Sequence, residues 1–352
     1  MLPRAGFIVA MSARHSLLEL TVVRFKEFVR EPEALFWVFA FPLLLAAGLG
    51  IAFRNQPPAV LKIVTSDAGL KTALSREPLL DVRQLAEAPA REALRIGKVA
   101  LSAARSPDGG VLYRYDQTNP EGRMARILAD RAVQRAAGRV DPVPFRDTLV
   151  EEPGARYIDF LLPGLLGMSL MSSAIWGMGF TVVDARKRKL MKRMMATPLP
   201  KSYYLLSLGL YRLVILIVEV FLLVGFGVAA FHVPVRGSLF ELAALCVLAT
   251  LSFSAMGLLL ASRVRTIEGV SGLMNLTMMP MWILSGVFFS AQRFPDWVQS
   301  FIRILPLTAA NDALRANLLQ GAGFAALRGE MGILCVWAIG CFALALKIFR
   351  WR

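Results

Sequence analysis

The sequence predicts an α-helical polytopic membrane protein with six transmembrane helices and a small extracytoplasmic α/β domain between the first and the second. Three observations carry this. The 352 residues are 56% hydrophobic and 18% charged, with a mean hydropathy of +0.55, too apolar for an ordinary soluble protein. Several apolar runs reach about 20 residues, the length at which a helix crosses a bilayer core. Between the first and second runs lies a polar stretch with charges of both signs and the alternation and turn residues of strands. The formal net charge of +15 suggests nucleic acid at first sight. A large share of the cations, however, sits in loops where membrane topology explains them, so the expected surroundings are a lipid bilayer and not nucleic acid. Cys246, Cys335 and Cys341 all lie in apolar runs, and His15 and His232 are far apart. No disulfide framework, metal site or catalytic triad is expected.

Residues 1–33 form an N-terminal segment on the inner side. Within it, residues 16–30 place Leu18, Val22, Phe25 and Val29 on one helical stripe among Glu19, Lys26, Glu27 and Arg30, the pattern of a helix lying in the membrane surface. A helix packed on a soluble partner is the alternative. Pro32 stands where a new helix begins. The first span is residues 34–54, a run too long for a signal-peptide core and without a cleavage site.

Residues 55–157 make up the α/β domain. Residues 59–65 read as a strand, and 98–103 with 111–115 as a hairpin around Pro107, Asp108, Gly109 and Gly110. Asn119 and Pro120 mark the N-cap and first turn of a helix that runs to Ala137 and stops at Gly138. One crossing precedes this domain, which places it outside. Five further spans follow in residues 158–352, near 158–183, 203–230, 239–262, 267–289 and 330–349. Arg263, Arg265 and the tail 347–352 then fall inside, whereas 231–238, with Arg236 alone, falls outside. Both termini are expected in the cytoplasm.

Segment 184–201 is densely basic. Arg186, Lys187, Arg188, Lys189, Lys192, Arg193 and Lys201 stand against Asp184, which assigns the segment to the inner face. Nothing breaks a helix from 185 to 195, where Leu190, Met191, Met194 and Met195 recur at helical spacing. Thr197, Pro198, Leu199 and Pro200 then end it. This is either a helix that packs on a partner or an anchor that touches only lipid headgroups. Segment 294–320 is too polar to span, yet Trp297, Val298, Phe301, Ile302, Leu305 and Leu307 give it an apolar face interrupted at Pro306. It is expected to form two short helices dipping into the outer leaflet. A surface loop with one amphipathic helix is the alternative.

The residues KRMMATPLP from 192, PMWILSGVFFS from 280, FPDWVQ from 294 and LPLT from 305, set among six spans, resemble the ABC transmembrane type-2 family of export permeases. The resemblance covers residues 157–321 well and the domain 54–156 less specifically. It implies that the loop after the second span is a coupling helix docking on a separate ATPase, with Asp184, Arg186, Arg188, Lys192, Arg193, Thr197 and Pro198 at the contact. Lys187, Lys189 and Lys192 stand where many relatives carry glutamates and a glycine, which implies a more acidic partner surface. ATP and Mg would be bound by that partner. This chain has no run of Gly-x-x-x-x-Gly-Lys-Ser/Thr, since Gly97-Lys98 is followed by Val99.

Spans two and five carry Met168, Met171, Trp176, Met274, Asn275, Met278 and Trp282 among glycines. Facing each other across a dimer axis, they would line a path for a greasy substrate; ordinary helix packing is the alternative. Phe288 and Phe289, with Leu305 and Pro306, are candidates for an outer apolar gate. Glu219 lies deep in span three, with Arg212 two turns away on the same face. Glu219 is expected either to brace a neighbouring helix or to contact substrate or a proton.

The expected function is the permease subunit, not itself an enzyme, of an ATP-driven exporter for a hydrophobic or amphipathic substrate. It would sit in a bacterial cytoplasmic (inner) membrane with a second copy or a homologous permease and two cytoplasmic ATPases. A membrane-anchored sensor with an extracytoplasmic ligand domain is the alternative.

Overall fold

A computed structural model describes residues 4–53, 60–140, 156–189, 201–264 and 266–348, the backbone alone at 4–16, 201–205 and 293. The chain divides into two units, residues 55–150 and the remainder.

The smaller unit is a four-stranded sheet of order β2-β1-β3-β4, formed by β1 (Leu61–Thr65), β2 (Leu80–Gln84), β3 (Leu101–Arg105) and β4 (Val111–Tyr115). β1 pairs in parallel with β2 and β3, and β3 pairs antiparallel with β4. The predicted hairpin is therefore present, and Gly109, at φ 84°, supplies the left-handed residue of its turn. Helices α3 (Ala68–Leu74) and α4 (Glu87–Arg95) and strand β2 were not anticipated. Asp67 caps α3 by accepting from the Leu70 amide at 2.7 Å. The predicted helix is α5 (Pro120–Ala136), capped by Asn119 and followed by Gly138 at φ 95°. It buries Ala125, Ala129 and Ala132 against Ile63, Leu101 and Ala103 of the sheet.

In the larger unit, α1 (Arg4–Val29) begins earlier than the amphipathic pattern suggests. Leu17, Leu20 and Phe28 are half-buried, while Leu18, Val22, Phe25 and Val29 stay exposed. The predicted stripe is thus an unused apolar face. The first span, α2 (Pro32–Ala52), is helical throughout but widens into a π-turn at Phe36–Ala40, where the Phe41 amide bonds the Phe36 carbonyl. Pro42 accounts for the widening, because it has no amide hydrogen and its ring crowds the carbonyl four residues back.

Helix α6 (Tyr157–Lys187) is the centre of the unit. It packs against α7 (Lys201–Phe231), α8 (Leu239–Ala261), α9 (Ile267–Leu284) and α11 (Pro306–Gln320), and against α2. Its burial is nearly all-round, as expected of a helix apolar on every face. The α6–α8 approach is set by Gly257, where an added Cβ would meet the Ile175 carbonyl oxygen at 2.7 Å. Five helices among the described residues are long and apolar enough to cross a membrane: α2, α6, α7 from Leu206, α8 and α12 (Arg328–Ile348).

The bounds of the expected span 267–289 need correction. α9 stops at Leu284 after 18 residues and is not one of those five. Ser285 caps it and Gly286 turns left-handed at φ 69°, so the apolar residues beyond are not helical. The expected pair of short helices in 294–320 is present as α10 (Asp296–Ile302) and α11, the latter opened by Pro306 and closed by Gly321 at φ 70°.

Gly257→Ala should lower the apparent melting temperature in detergent, corresponding to about 1–3 kcal/mol of overpacking. Gly177→Ala, at a position with open space around it, should leave it unchanged.

Candidate functional site

The expected helix from 185 to 195 does not run unbroken. α6 itself carries the chain through to Lys187, and Lys189 then adopts φ 56°, its amide bonding the Arg186 carbonyl at 3.1 Å. A left-handed residue cannot continue a right-handed helix. Lys192, Arg193, Thr197 and Pro198 lie outside the described residues.

Of the cations at the end of α6, Arg186 turns inward. Its Nη1 donates to the carbonyls of Ala261 at 3.1 Å and Val264 at 2.6 Å, and its Nη2 to that of Ser262 at 3.2 Å. These are terminal carbonyls of α8 and its following turn, groups that no helical amide reaches. One guanidinium therefore clamps the basic end of α6 to the α8–α9 connection. Arg188 turns outward and pairs with Asp184 at 2.9 Å, four residues back. Both partners are exposed, so this pair adds little stability.

Deeper in the unit, Glu219 of α7 is buried with its carboxylate against α6. Ser169 Oγ bonds Oε1, and Ser173 Oγ lies 3.1 Å from Oε1 and 3.0 Å from Oε2. Arg212 reaches the same place: its Nη2 donates to Ser173 Oγ and stands 3.6 Å from Glu219 Oε2. The predicted two-turn spacing thus does pair these charges, with a serine of the neighbouring helix between them. Ser169 and Ser173 were missed, although their i, i+4 spacing marks one face of α6. A cavity of about 10 Å³ beside Glu219 is walled by Val38, Phe39, Pro42 and Leu43 of the π-turn region and by Leu222 and Leu223 of α7, about the room one water needs. The arrangement braces α2, α6 and α7 together by geometry.

The candidate path residues separate. Met168, Met171, Met274 and Met278 are buried within the protomer, and the Met274 methyl fills the space that a Cβ at Gly179 would need. They hold α6 and α9 together and do not face a free surface. Asn275 and Met279 are exposed on α9, while Trp176 and Trp282 are half-buried. Of the candidate gate, Leu305 and Pro306 are buried at the start of α11. Phe288 and Phe289 lie in the turn after α9 instead of at its helical end, and Phe289 stacks on Phe294 at 6.0 Å.

Residues 32–347 match the profile of a family described as ABC-2 family transporter protein. The chain belongs to this family, and it is an integral membrane protein of the ABC transporter permease class. Among curated proteins it is 28% identical over 229 residues to ABC transporter G family member 20 of Dictyostelium discoideum, covering 62% of this chain and 31% of that protein. It is 29% identical over 206 residues to Nodulation protein J of Bradyrhizobium diazoefficiens, covering 56% of this chain and 76% of that protein. It is 24% identical over 204 residues to Inner membrane transport permease YadH of Escherichia coli strain K12, again with 56% and 76% coverage. The chain thus spans about a third of the first of these relatives.

Arg212→Met alone should destabilise the protein by about 3–5 kcal/mol, because it leaves a buried carboxylate without its cation. Arg212→Met combined with Glu219→Leu should recover most of that loss in detergent denaturation.

Proposed function

We propose that two copies of this chain, or this chain and a close homologue, assemble with two cytoplasmic ABC ATPases to export a hydrophobic or amphipathic substrate. α9 serves as the sixth crossing, the basic segment 184–201 faces the cytoplasm, and residues 55–150 lie on the opposite side. The membrane is the bacterial cytoplasmic membrane, and ATP and Mg act on the partner chains.

The observation that carries this reading is the Arg186 clamp. A push on the end of α6 passes through three carbonyl hydrogen bonds into the α8–α9 connection, so α6, α8 and α9 answer a force at 184–201 as one body. Arg188, outward and exposed, meets the ATPase with Arg193. Because the buried methionines are committed to packing, the route follows the exposed face of α9 at Asn275 and Met279, with Trp282 at its edge. Glu219 and Arg212 keep α6 and α7 in register while the unit tilts.

The test is charge reversal at Arg188 and Arg193 together. The variant should insert at normal levels, lose an ATPase that copurifies with the parent, and lose at least about tenfold of substrate-stimulated hydrolysis, the effect of about 1.4 kcal/mol at the contact. Normal coupling in that variant would remove the docking role. Copurification of a kinase or regulator would favour the sensor reading.

A further inference from the structure

Away from the basic end, the α6–α11 packing leaves a pocket of about 320 Å³ walled by the start of α6, the turn after α9, and α10 and α11. Its polar lining includes Ser285, Thr308, Gln299, Arg303, Asp312 and Arg315. Two of these groups have no partner among the described residues. Ser285 and Thr308 are 1% and 4% exposed, and neither hydroxyl forms a hydrogen bond among the described residues. A buried hydroxyl without a partner is costly, and a molecule bound in this pocket would supply the missing bond to Ser285 and Thr308.

The charges give the sign of that molecule. Arg315 is held in place: Nη2 donates to the Gly286 carbonyl at 2.6 Å, Nε to the Phe160 carbonyl at 3.3 Å, and its guanidinium carbon lies 3.9 Å from the Phe160 ring centroid. Asp312 pairs with it at 3.4 Å, which neutralises the one carboxylate in the lining. Arg303 is exposed and has no ion pair among the described residues. α11 opens into the pocket at Thr308 without a side-chain cap, so its first turn adds the positive end of a helix dipole. The result is a donor-rich cup with one unneutralised cation.

The geometry points to a binding site for a phosphoryl group, carried by a lipid headgroup or by free phosphate, in which Ser285 and Thr308 donate to the phosphoryl oxygens and Arg303 supplies the counter-charge. Free phosphate and a phospholipid headgroup share this chemistry, and the titration below separates them. The assignment needs neither the ATPase nor the direction of transport.

The full chain in a neutral detergent is titrated with dihexanoyl phosphatidylglycerol, with dihexanoylglycerol, which lacks the phosphoryl group, and with inorganic phosphate as competitor. Saturable binding of the phospholipid and none of the diacylglycerol is expected. Arg303→Ala should weaken binding at least about tenfold, the effect of losing one charge-assisted bond. Thr308→Val should weaken it as well, yet raise the melting temperature of the empty protein, because it removes a buried hydroxyl that nothing satisfies. Competition by inorganic phosphate would assign the site to a free anion; its failure to compete would assign it to a lipid headgroup. Equal binding of the diacylglycerol, no binding of either phosphoryl probe, or parental affinity in either variant would overturn the assignment. Because no ATPase is present, the outcome is independent of whether the chain couples to one.

Discussion

The close fit around α6 is the constraint on which the larger unit depends. A helix buried on nearly every side can have that many neighbours only if their backbones come near, and small residues decide where. At Gly257 the neighbour is a backbone carbonyl of α6, which cannot step aside. At Gly167 of α6 itself the occupant is the Asn311 side-chain oxygen, so α11 is pressed against the same helix from another direction. The large buried side chains, Leu161, Leu162, Leu165, Met171 and Ile175 among them, then fill what remains. Inside a bilayer this packing carries the association, since lipid is as apolar as leucine and offers no hydrophobic drive.

Several charged groups in this packing have close partners. Glu219 has two hydroxyls and a guanidinium within reach, and Arg186 has three carbonyls. Asp159 is fully buried at the N-terminus of α6, where it takes a two-pronged contact from Arg156 at 2.9 and 2.8 Å. Arg156 also donates to the His232 carbonyl at 3.2 Å, where α7 ends in a left-handed residue. α6 is therefore tied near its start and at its middle to α7 and the residue after it, and at its end to the α8–α9 connection.

Much of the fold was legible in the apolar runs. α8 and α12 fall within two residues of the expected bounds, and the Asn119–Pro120 start and Gly138 stop of α5 were read from cap chemistry alone. What was missed has physical causes. β2 is short, and its alternation of Leu80 and Val82 with Asp81 and Arg83 spans only four residues, too few to stand out from the polar stretch around it. The end of α9 was overrun because Val287, Phe288 and Phe289 continue the apolar run, while the stop depends on one left-handed glycine. Arg186 and Arg188 look alike in a charge count; rotation along α6 sends one into the α8–α9 turn and the other into solvent. Ser169 and Ser173 resemble the many serines that bond their own helix, as Ser173 also does to the Ser169 carbonyl at 2.7 Å. Only the arrival of α7 turns them toward a carboxylate. The buried and exposed methionines of α9 likewise share one appearance in sequence, and their burial is decided by a neighbour far along the chain.

The widened turn in α2 has a consequence for how one span serves two hosts. Within it, Phe39 meets Phe28 of α1 edge-on at 6.0 Å; beyond it, Gly50 abuts Phe231 and Ile158, and Phe53 rests on Tyr157 at 4.4 Å. A regular helix advances by a fixed rotation per residue, so the contact directions of its two halves are locked together. The additional residue in the loosened turn acts as a splice, letting each half keep its own angular phase. Excising a single amino acid there would leave the span just as greasy and almost as long, yet would swing one half out of step with the surface it was shaped to meet.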